Sequence, residues 1–324
     1  MKFLVFGLGS MGKRRIRLLK QIPECDSIIG FDLNKERCEA VSQEYGVKCF
    51  SSLDSIDVDS FECVVISTSP LAHYEIAKSM LLKKKHVFTE INLVSDWYSE
   101  CLDIAEKNNV KLFISSTLNY RKDIEFIKKI VQGSKHKSSY IYHVGQYLPD
   151  WHPWENYKNF FVNDKRTNGC REIFAIDLPW VVNTFGDIES VKAIHTKNSS
   201  LDLNYDDTYS VLVKHKNGNL GTIVVDVVSR KAVRILEVIN EEFHIDWQGK
   251  PDSLNLYNPE TKETQRIETY KSIDKNNNYS SNIIENAYKD ELMAFVEYVK
   301  ENKEPIYSFK DDENVIAFID QIEA

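Results

Sequence analysis

Phe3-Leu4-Val5-Phe6-Gly7-Leu8-Gly9-Ser10-Met11-Gly12 is the stretch on which the fold turns. Four strand-forming apolar residues run straight into a G-x-G-x-x-G turn, and Lys13 to Ile22 follow with helical spacing before Pro23 stops them. Strand, glycine turn and helix in this order predict a Rossmann unit. Gly7 permits the tight turn, Gly9 lets the backbone approach a pyrophosphate, and Gly12 lets helix pack closely on strand. Gly7, Gly9, Ser10, Met11 and Gly12 would then hold a dinucleotide's phosphates at the helix N-terminus, where N–H groups and the dipole favour negative charge.

A second apolar run, Ile28-Ile29-Gly30-Phe31, ends in Asp32, at the distance beyond the last glycine where such a unit needs an acceptor for ribose hydroxyls. A carboxylate there repels a 2′-phosphate, so Asp32 predicts NAD over NADP. Arg14, Arg15, Lys35 and Arg37 keep NADP open as the alternative, because a nearby arginine accommodates that phosphate.

Downstream the pattern alternates: helix Lys35 to Tyr45, strand Phe61 to Ser67, helix Leu71 to Lys84, strand His86 to Thr89, helix Ser95 to Asn108, strand Lys111 to Ser115. Such alternation predicts a parallel, doubly wound sheet with right-handed crossovers. Ligands of these sheets bind at the carboxyl ends of the strands, which selects Ser67, Thr68, Ser69, Glu90 and Asn119 for the cofactor edge.

Beyond Asn119 the pattern changes. A helix, Asp123 to Gln132, leads to a strand, Ser139 to Val144, an aromatic loop, and a helical region ending at Gly186. From Glu189 on the chain reads as an antiparallel meander. Asn217-Gly218 is a hairpin signal between Tyr205 to Lys214 and Leu220 to Val228, and further strands fit Val233 to Ile239, Phe243 to Trp247 and Ser253 to Tyr257. The polar stretch Asp274 to Asn282 reads as a mobile loop, and helices near Asn286 to Val299 and Asp312 to Ile322 close the chain. The expected class is α/β: a Rossmann domain over 1–119 and a second α/β domain with a mostly antiparallel sheet over 120–324.

Length agrees, since 324 residues exceed what one core usually serves. The net charge of −8, with dispersed basic residues, argues against nucleic acid or an anionic membrane as partner. No apolar run has the length of a membrane span, and the first one is broken by glycines, so a cytoplasmic protein without a signal peptide is expected. The six cysteines form no C-x-x-C pair and read as reduced thiols.

The chain resembles the Gfo/Idh/MocA oxidoreductases over nearly its whole length. The residues that carry the likeness are Gly7 to Gly12, Asp32, Val64 to Ser69 with His73 and Glu75, Lys85 to Glu90, and Asn119-Tyr120-Arg121. The resemblance implies an NAD(P)-binding domain followed by an α/β domain whose open sheet often mediates oligomers, here a homodimer or homotetramer. It also implies a sugar, inositol or sugar nucleotide as substrate, with His73 near the cofactor and Arg121 near the substrate. The chain departs from the family where a lysine usually stands near substrate and nicotinamide, since it reads Glu90-Ile91-Asn92. Anchored on Gly186, the family's aspartate and histidine positions fall on Glu172 and Ile176, so the usual proton-transfer residues are missing.

Other groups become candidates. His143-Val144-Gly145-Gln146-Tyr147-Leu148-Pro149-Asp150-Trp151-His152-Pro153-Trp154-Glu155-Asn156-Tyr157 joins aromatic faces to hydrogen-bonding groups, which suits a sugar ring or a nucleobase and equally suits an interface. His143, Gln146, Trp151, Trp154 and Tyr157 are its candidate substrate residues. A metal held by His143, Asp150 and His152 is not expected, because no ligand spacing recurs. For proton transfer the favoured base is His152, with Glu172 orienting it or substituting for it, and Asp177 is a further candidate. Asp177 also reads as a helix cap ahead of Pro179, and Glu172 as a partner for a cation such as Arg171. The expected function is NAD-dependent oxidation or reduction at a hydroxyl or keto carbon of a sugar or sugar nucleotide, in glycan or polysaccharide precursor synthesis. The alternatives are a lyase or hydrolase using NAD for transient oxidation, and a non-catalytic NAD-binding sensor or scaffold.

Overall fold

A computed structural model of the protein describes residues 1–151, 155–274 and 283–324. The chain divides into two compact units, 1–116 with 288–313, and 117–287 with 314–324. The sequence places one boundary at 119. The chain instead returns to the first unit near its end, because the apolar stripe of the helix Glu285–Glu301 (Leu292, Phe295, Val296) is buried and Phe295 packs on Phe88 and Phe113.

The first unit is built on β1 (Lys2–Phe6), α1 (Ser10–Leu19), β2 (Ser27–Phe31), α2 (Lys35–Tyr45), β3 (Lys48–Phe50), β4 (Cys63–Ile66), α3 (His73–Leu82), β5 (His86–Thr89), α4 (Tyr98–Asn108) and β6 (Leu112–Ile114). All strands are parallel in the order β3-β2-β1-β4-β5-β6. Phe3 to Phe6 and Cys63 to Ile66 are buried, as unbroken apolar runs covered on both faces should be. The order reverses between β1 and β4, so a crevice forms at their carboxyl ends. Three-residue β3 has too little pattern to be read from sequence.

The second unit adds α5 (Lys122–Gly133), β7 (Ser139–Gly145), α6 (Gly169–Phe185), β8 (Ile188–Thr196), β9 (Thr208–His215), β10 (Leu220–Asp226), β11 (Val233–Ile239), β12 (His244–Trp247), β13 (Asn255–Asn258) and β14 (Glu263–Arg266). Its sheet runs β14-β13-β12-β11-β7-β10-β9-β8, antiparallel except for the pair β7 and β10. Gly218, at φ +92°, turns the hairpin between β9 and β10. The face carrying Tyr140, Tyr142 and Tyr209 packs on α6 through Phe185, Trp180 and Phe174. The opposite face leaves Ile141, Ile194, Leu212, Leu220, Ile235 and Ile239 exposed. β14, exposed throughout and without apolar alternation, escaped the sequence reading.

The remaining helices are α7 (Glu285–Glu301) and α8 (Phe309–Glu323). The loop expected over 274–282 lies, but for Asp274, outside the described residues. Among the described residues, no helix is long and apolar enough to cross a membrane.

Candidate functional site

In the first unit the glycine turn lies in the crevice between β1 and β4. Gly7 has φ +83°, and a Cβ there would stand 2.5 Å from the Ser67 carbonyl oxygen. A Cβ on Gly12 would stand 1.8 Å from the Gly7 carbonyl oxygen, so only glycine lets α1 start this close to the turn. Gly9 differs, because no described atom beyond its chain neighbours lies within 4 Å of where its Cβ would be. It is the N-cap of α1 and gives the helix no side-chain cap. Packing does not demand glycine there, and the open space suits close approach by an anionic ligand. Ser10 and Met11 form the first turn of α1, and Met11 Sδ accepts from Arg14.

Asp32, at the end of β2, is buried and braces the same edge. Its Oδ2 accepts from Leu8 N–H at 2.8 Å and Arg37 at 3.0 Å, and its Oδ1 from Asn34 N–H at 2.9 Å. That leaves acceptor capacity on Oδ1 for a ribose hydroxyl. On the other wall, Ser69 is exposed and the buried hydroxyl oxygen Thr68 Oγ1 has no hydrogen-bond partner among the described residues.

Two residues expected at the cofactor face inward instead. His73 is fully buried, with Nδ1 2.7 Å from Asn92 Oδ1 and Nε2 3.1 Å from the Thr68 carbonyl oxygen; burial pushes its pKa down, so it supports the Thr68 turn as a neutral ring. Glu90 takes Nε and Nη2 of fully buried Arg15 at 2.7 and 2.8 Å, and Arg15 Nη2 also lies 2.8 Å from Glu291. These two carboxylates explain Arg15, which the sequence had offered to a phosphate. Their separations of 75 and 276 residues hid the cluster.

In the second unit, Asn119 is buried in the turn Thr117–Tyr120; its Oδ1 accepts from Asn183, and its Nδ2 has no partner among the described residues. Arg121 is not available to a substrate. It is buried in a two-pronged pair with Asp123 (2.9 and 2.5 Å), donates to the Gly249 carbonyl, and lies over Trp247. Asp177 is neither a cap nor exposed. Asn168 caps α6 by accepting Arg171 N–H at 2.8 Å, so the helix starts eight residues before Asp177 and runs on through Pro179. Asp177 Oδ1 accepts from Tyr142, Arg234 and Trp180, interior bonds that, with burial of Leu178, Trp180 and Val181, outweigh the proline.

Glu172, in the first turn of α6, is half-buried, and its Oε2 has no partner among the described residues. It does not pair with Arg171, which turns to Asp320 and Glu323. Burial pushes the Glu172 carboxyl up to about 8. His143 Nε2 lies 2.8 Å from Asp226 Oδ2, on the sheet face away from α6. Burial alone raises the Asp226 carboxyl, but the bonds from His143, Ser229 and Val228 hold it below the usual range. Gly145 makes room for that carboxylate, since a Cβ there would stand 2.4 Å from Oδ2.

In the described part of the aromatic loop Leu148 is buried and Trp151 and Tyr157 are half-buried. Trp151 donates to the Gln146 carbonyl, Tyr157 OH accepts from Asp202 N–H, and the gap that Trp151, Tyr157, Leu148 and Phe160 border is about 10 Å³, room for one water at most. His152 and Trp154 lie outside the described residues. A larger cavity, about 300 Å³, opens elsewhere in this unit beside His195, Tyr205, Asp206 and Tyr209, residues the sequence did not single out. On the exposed sheet face Glu237, His244 and Asp246 bring one potential ligand atom each within 4.8 Å of one another.

Residues 1–116 match the profile of an oxidoreductase family with an NAD-binding Rossmann fold, GFO_IDH_MocA. No curated protein matches the sequence. Levoglucosan dehydrogenase, in complex with NADH and L-sorbose, superimposes with a TM-score of 0.82 at 15% identity over 99% of this chain and 95% of that one. An oxidoreductase from Agrobacterium radiobacter in complex with NAD+, L-tartaric acid and magnesium gives 0.81 at 14% over 99% and 94%. UDP-N-acetylglucosamine 3-dehydrogenase from Acidithiobacillus ferrooxidans gives 0.77 at 14% over 99% and 96%. At such identities these likenesses establish the fold.

Proposed function

We propose that the protein, whose residues 1–116 match the model of an oxidoreductase family with an NAD-binding Rossmann fold, is an NAD-dependent oxidoreductase acting on a hydroxyl or keto carbon of a sugar or sugar nucleotide. The observation that carries the reading is the crevice between β1 and β4, where Gly9 leaves open space and Asp32 keeps acceptor capacity. Gly7 to Gly12 would hold the pyrophosphate, Asp32 the adenosine ribose, and Thr68 and Ser69 the neighbouring wall. Bound there, NAD supplies the hydride chemistry. The sugar class rests on relatives that act on levoglucosan and UDP-N-acetylglucosamine.

Glu172 is the proton-transfer residue of this reading. Ile91 and Ile176 carry no proton, and Arg121 and Asp177 are committed to ion pairs. A carboxyl held near 8 keeps its proton at neutral pH and gives it up just above, the behaviour a general acid and base requires.

Calorimetry tests the cofactor. NAD should bind more tightly than NADP, and Asp32→Ala should weaken NAD by about 1.5–3 kcal/mol, the loss of a charged hydrogen bond. Equal affinity of the wild type for both cofactors overturns the assignment. An absorbance screen against sugars and sugar nucleotides then tests the chemistry. Net NADH formation supports a dehydrogenase, product without net NADH a lyase or hydrolase, and binding without turnover a sensor.

The exposed sheet face is proposed as the contact with a second copy of the chain, since six large aliphatic side chains share it. Sedimentation should find a dimer or tetramer that Ile141→Asp with Leu212→Asp dissociates at micromolar concentration; a monomeric wild type sinks the idea.

A further inference from the structure

The 300 Å³ cavity of the second unit lies where the ends of β8 and β9 meet the start of α6 and the end of α8. From its walls we infer that it is a binding site for a neutral sugar ring. His195 and Tyr209 oppose each other across the β8 and β9 pair and stack with ring centroids 5.1 Å apart at 26°, giving an aromatic wall, with Tyr205 also lining the cavity. Aromatic faces take the C–H face of a pyranose, and a cavity of this size suits one ring with its hydroxyls.

The polar groups around that wall are already held in place. Asp206 Oδ2 lies 2.6 Å from His195 Nδ1, Glu323 Oε1 accepts from Asn168 at 2.6 Å while Oε2 pairs with Arg171, and Lys197 Nζ donates to the Leu203 carbonyl at 2.9 Å. Each carboxylate keeps acceptor capacity and the ammonium keeps protons, so neighbouring hydroxyls of one sugar can donate to Asp206 or Glu323 while accepting from Lys197. Holding these groups beforehand lowers the ordering cost of binding.

The charge pattern selects a neutral ligand. Two carboxylates line the cavity and Asp320 shares Arg171 with one of them, so Lys165 and Lys197 create no excess of cations for a phosphate or uronate. The site also lies on the α6 side of the sheet, because Tyr209 packs on Phe174. Pairing of two copies through the face that carries Ile194 and Leu212 would leave it open.

The site goes beyond the proposed function, since the same contacts would hold a substrate or an effector. Saturation-transfer NMR on the full chain, with glucose, N-acetylglucosamine, myo-inositol and glucuronate at millimolar concentration, tests it. The expected result is transfer to ring protons of at least one neutral compound, weakened at least about tenfold by His195→Ala and by the exposed Lys197→Met, with circular dichroism melts unchanged. Should His195→Ala unfold the chain, Lys197→Met decides alone. No transfer to any neutral compound, stronger binding of glucuronate, or binding indifferent to Lys197→Met overturns the site. In the kinetic assay a raised KM with unchanged kcat in Lys197→Met marks the sugar as substrate, and unchanged KM with sugar binding lost marks an effector. Sugar binding without NAD turnover refutes the oxidoreductase reading and leaves this site standing; turnover with sugar binding indifferent to these residues does the reverse.

Discussion

Arg15→Met lowers the unfolding free energy by about 3–5 kcal/mol, the cost of stranding buried charge when one partner of an ion pair is removed. The guanidinium is fully buried, lies over the Phe88 ring at 4.6 Å, and is the shared donor for Glu90 and Glu291. Burial alone would lower its pKa, but the two carboxylates outweigh burial and hold it raised. Glu291 shows the strain from the other side. Burial and Glu90 push its carboxyl up while Arg15 and the Ser116 N–H pull it down. Without Arg15 the Glu291 carboxyl would rise further, so the loss should be smallest in acid and grow as pH rises past the ordinary carboxylate range. Denaturant unfolding followed by circular dichroism measures it. Adding Glu90→Gln and Glu291→Gln to Arg15→Met should recover most of the loss, because no buried charge then remains. A single variant within about 1 kcal/mol of wild type would mean that solvent or rearrangement neutralises the site, contrary to its burial.

Glu172→Gln stabilises the protein at alkaline pH. The folded chain holds the Glu172 proton to about 8, whereas the unfolded chain releases it near 4.5. A raised carboxyl of this kind contributes full stability below 4.5 and loses it as pH rises toward 8. The amide cannot ionise, so the difference between variant and wild type should open across that interval and then level off at about 2–3 kcal/mol. That figure is below the full linkage value because the side chain keeps part of its hydration. Thermal melts at both ends of the interval test it, and parallel profiles for the two proteins would show that Glu172 ionises freely. The same variant separates structure from catalysis. If Glu172 moves the proton, kcat falls about 100-fold or more while the fold gains stability, a combination that a purely structural residue does not produce.

Local chemistry made the first unit legible. Phe3 to Gly12 carries strand, turn and helix signals within one contiguous stretch, although the close contact that Gly7 permits, with the Ser67 carbonyl, comes from far along the chain. Asp32 was readable for the same reason, since its partners Leu8, Asn34 and Arg37 belong to the same βαβ unit. The hairpin at Gly218 and the strand Val233–Ile239 were equally local. β3, β14 and the start of α6 were not, because a three-residue strand or an exposed edge has no period to detect, and Pro179 looked like a beginning where packing made it an interior residue.

Charged side chains followed a different rule. Arg15, Glu90, Arg121 and Asp177 looked like ligand groups because sequence shows their charge but not their partners. Their fates were set by Glu291, Asp123 with Trp247, and Arg234 with Tyr142. The cavity at His195 and Tyr209 was invisible for the same reason, being assembled from β8, β9, α6 and α8. By itself the sequence determined the parallel sheet, the glycine turn and the place of Asp32 at the end of β2, whose causes are periodicity, backbone conformation and short-range spacing. Only the tertiary structure decided which ionisable groups are spent inside the protein and which stay open to a ligand, since burying a charge requires a counter-charge and that partner can stand anywhere along the chain.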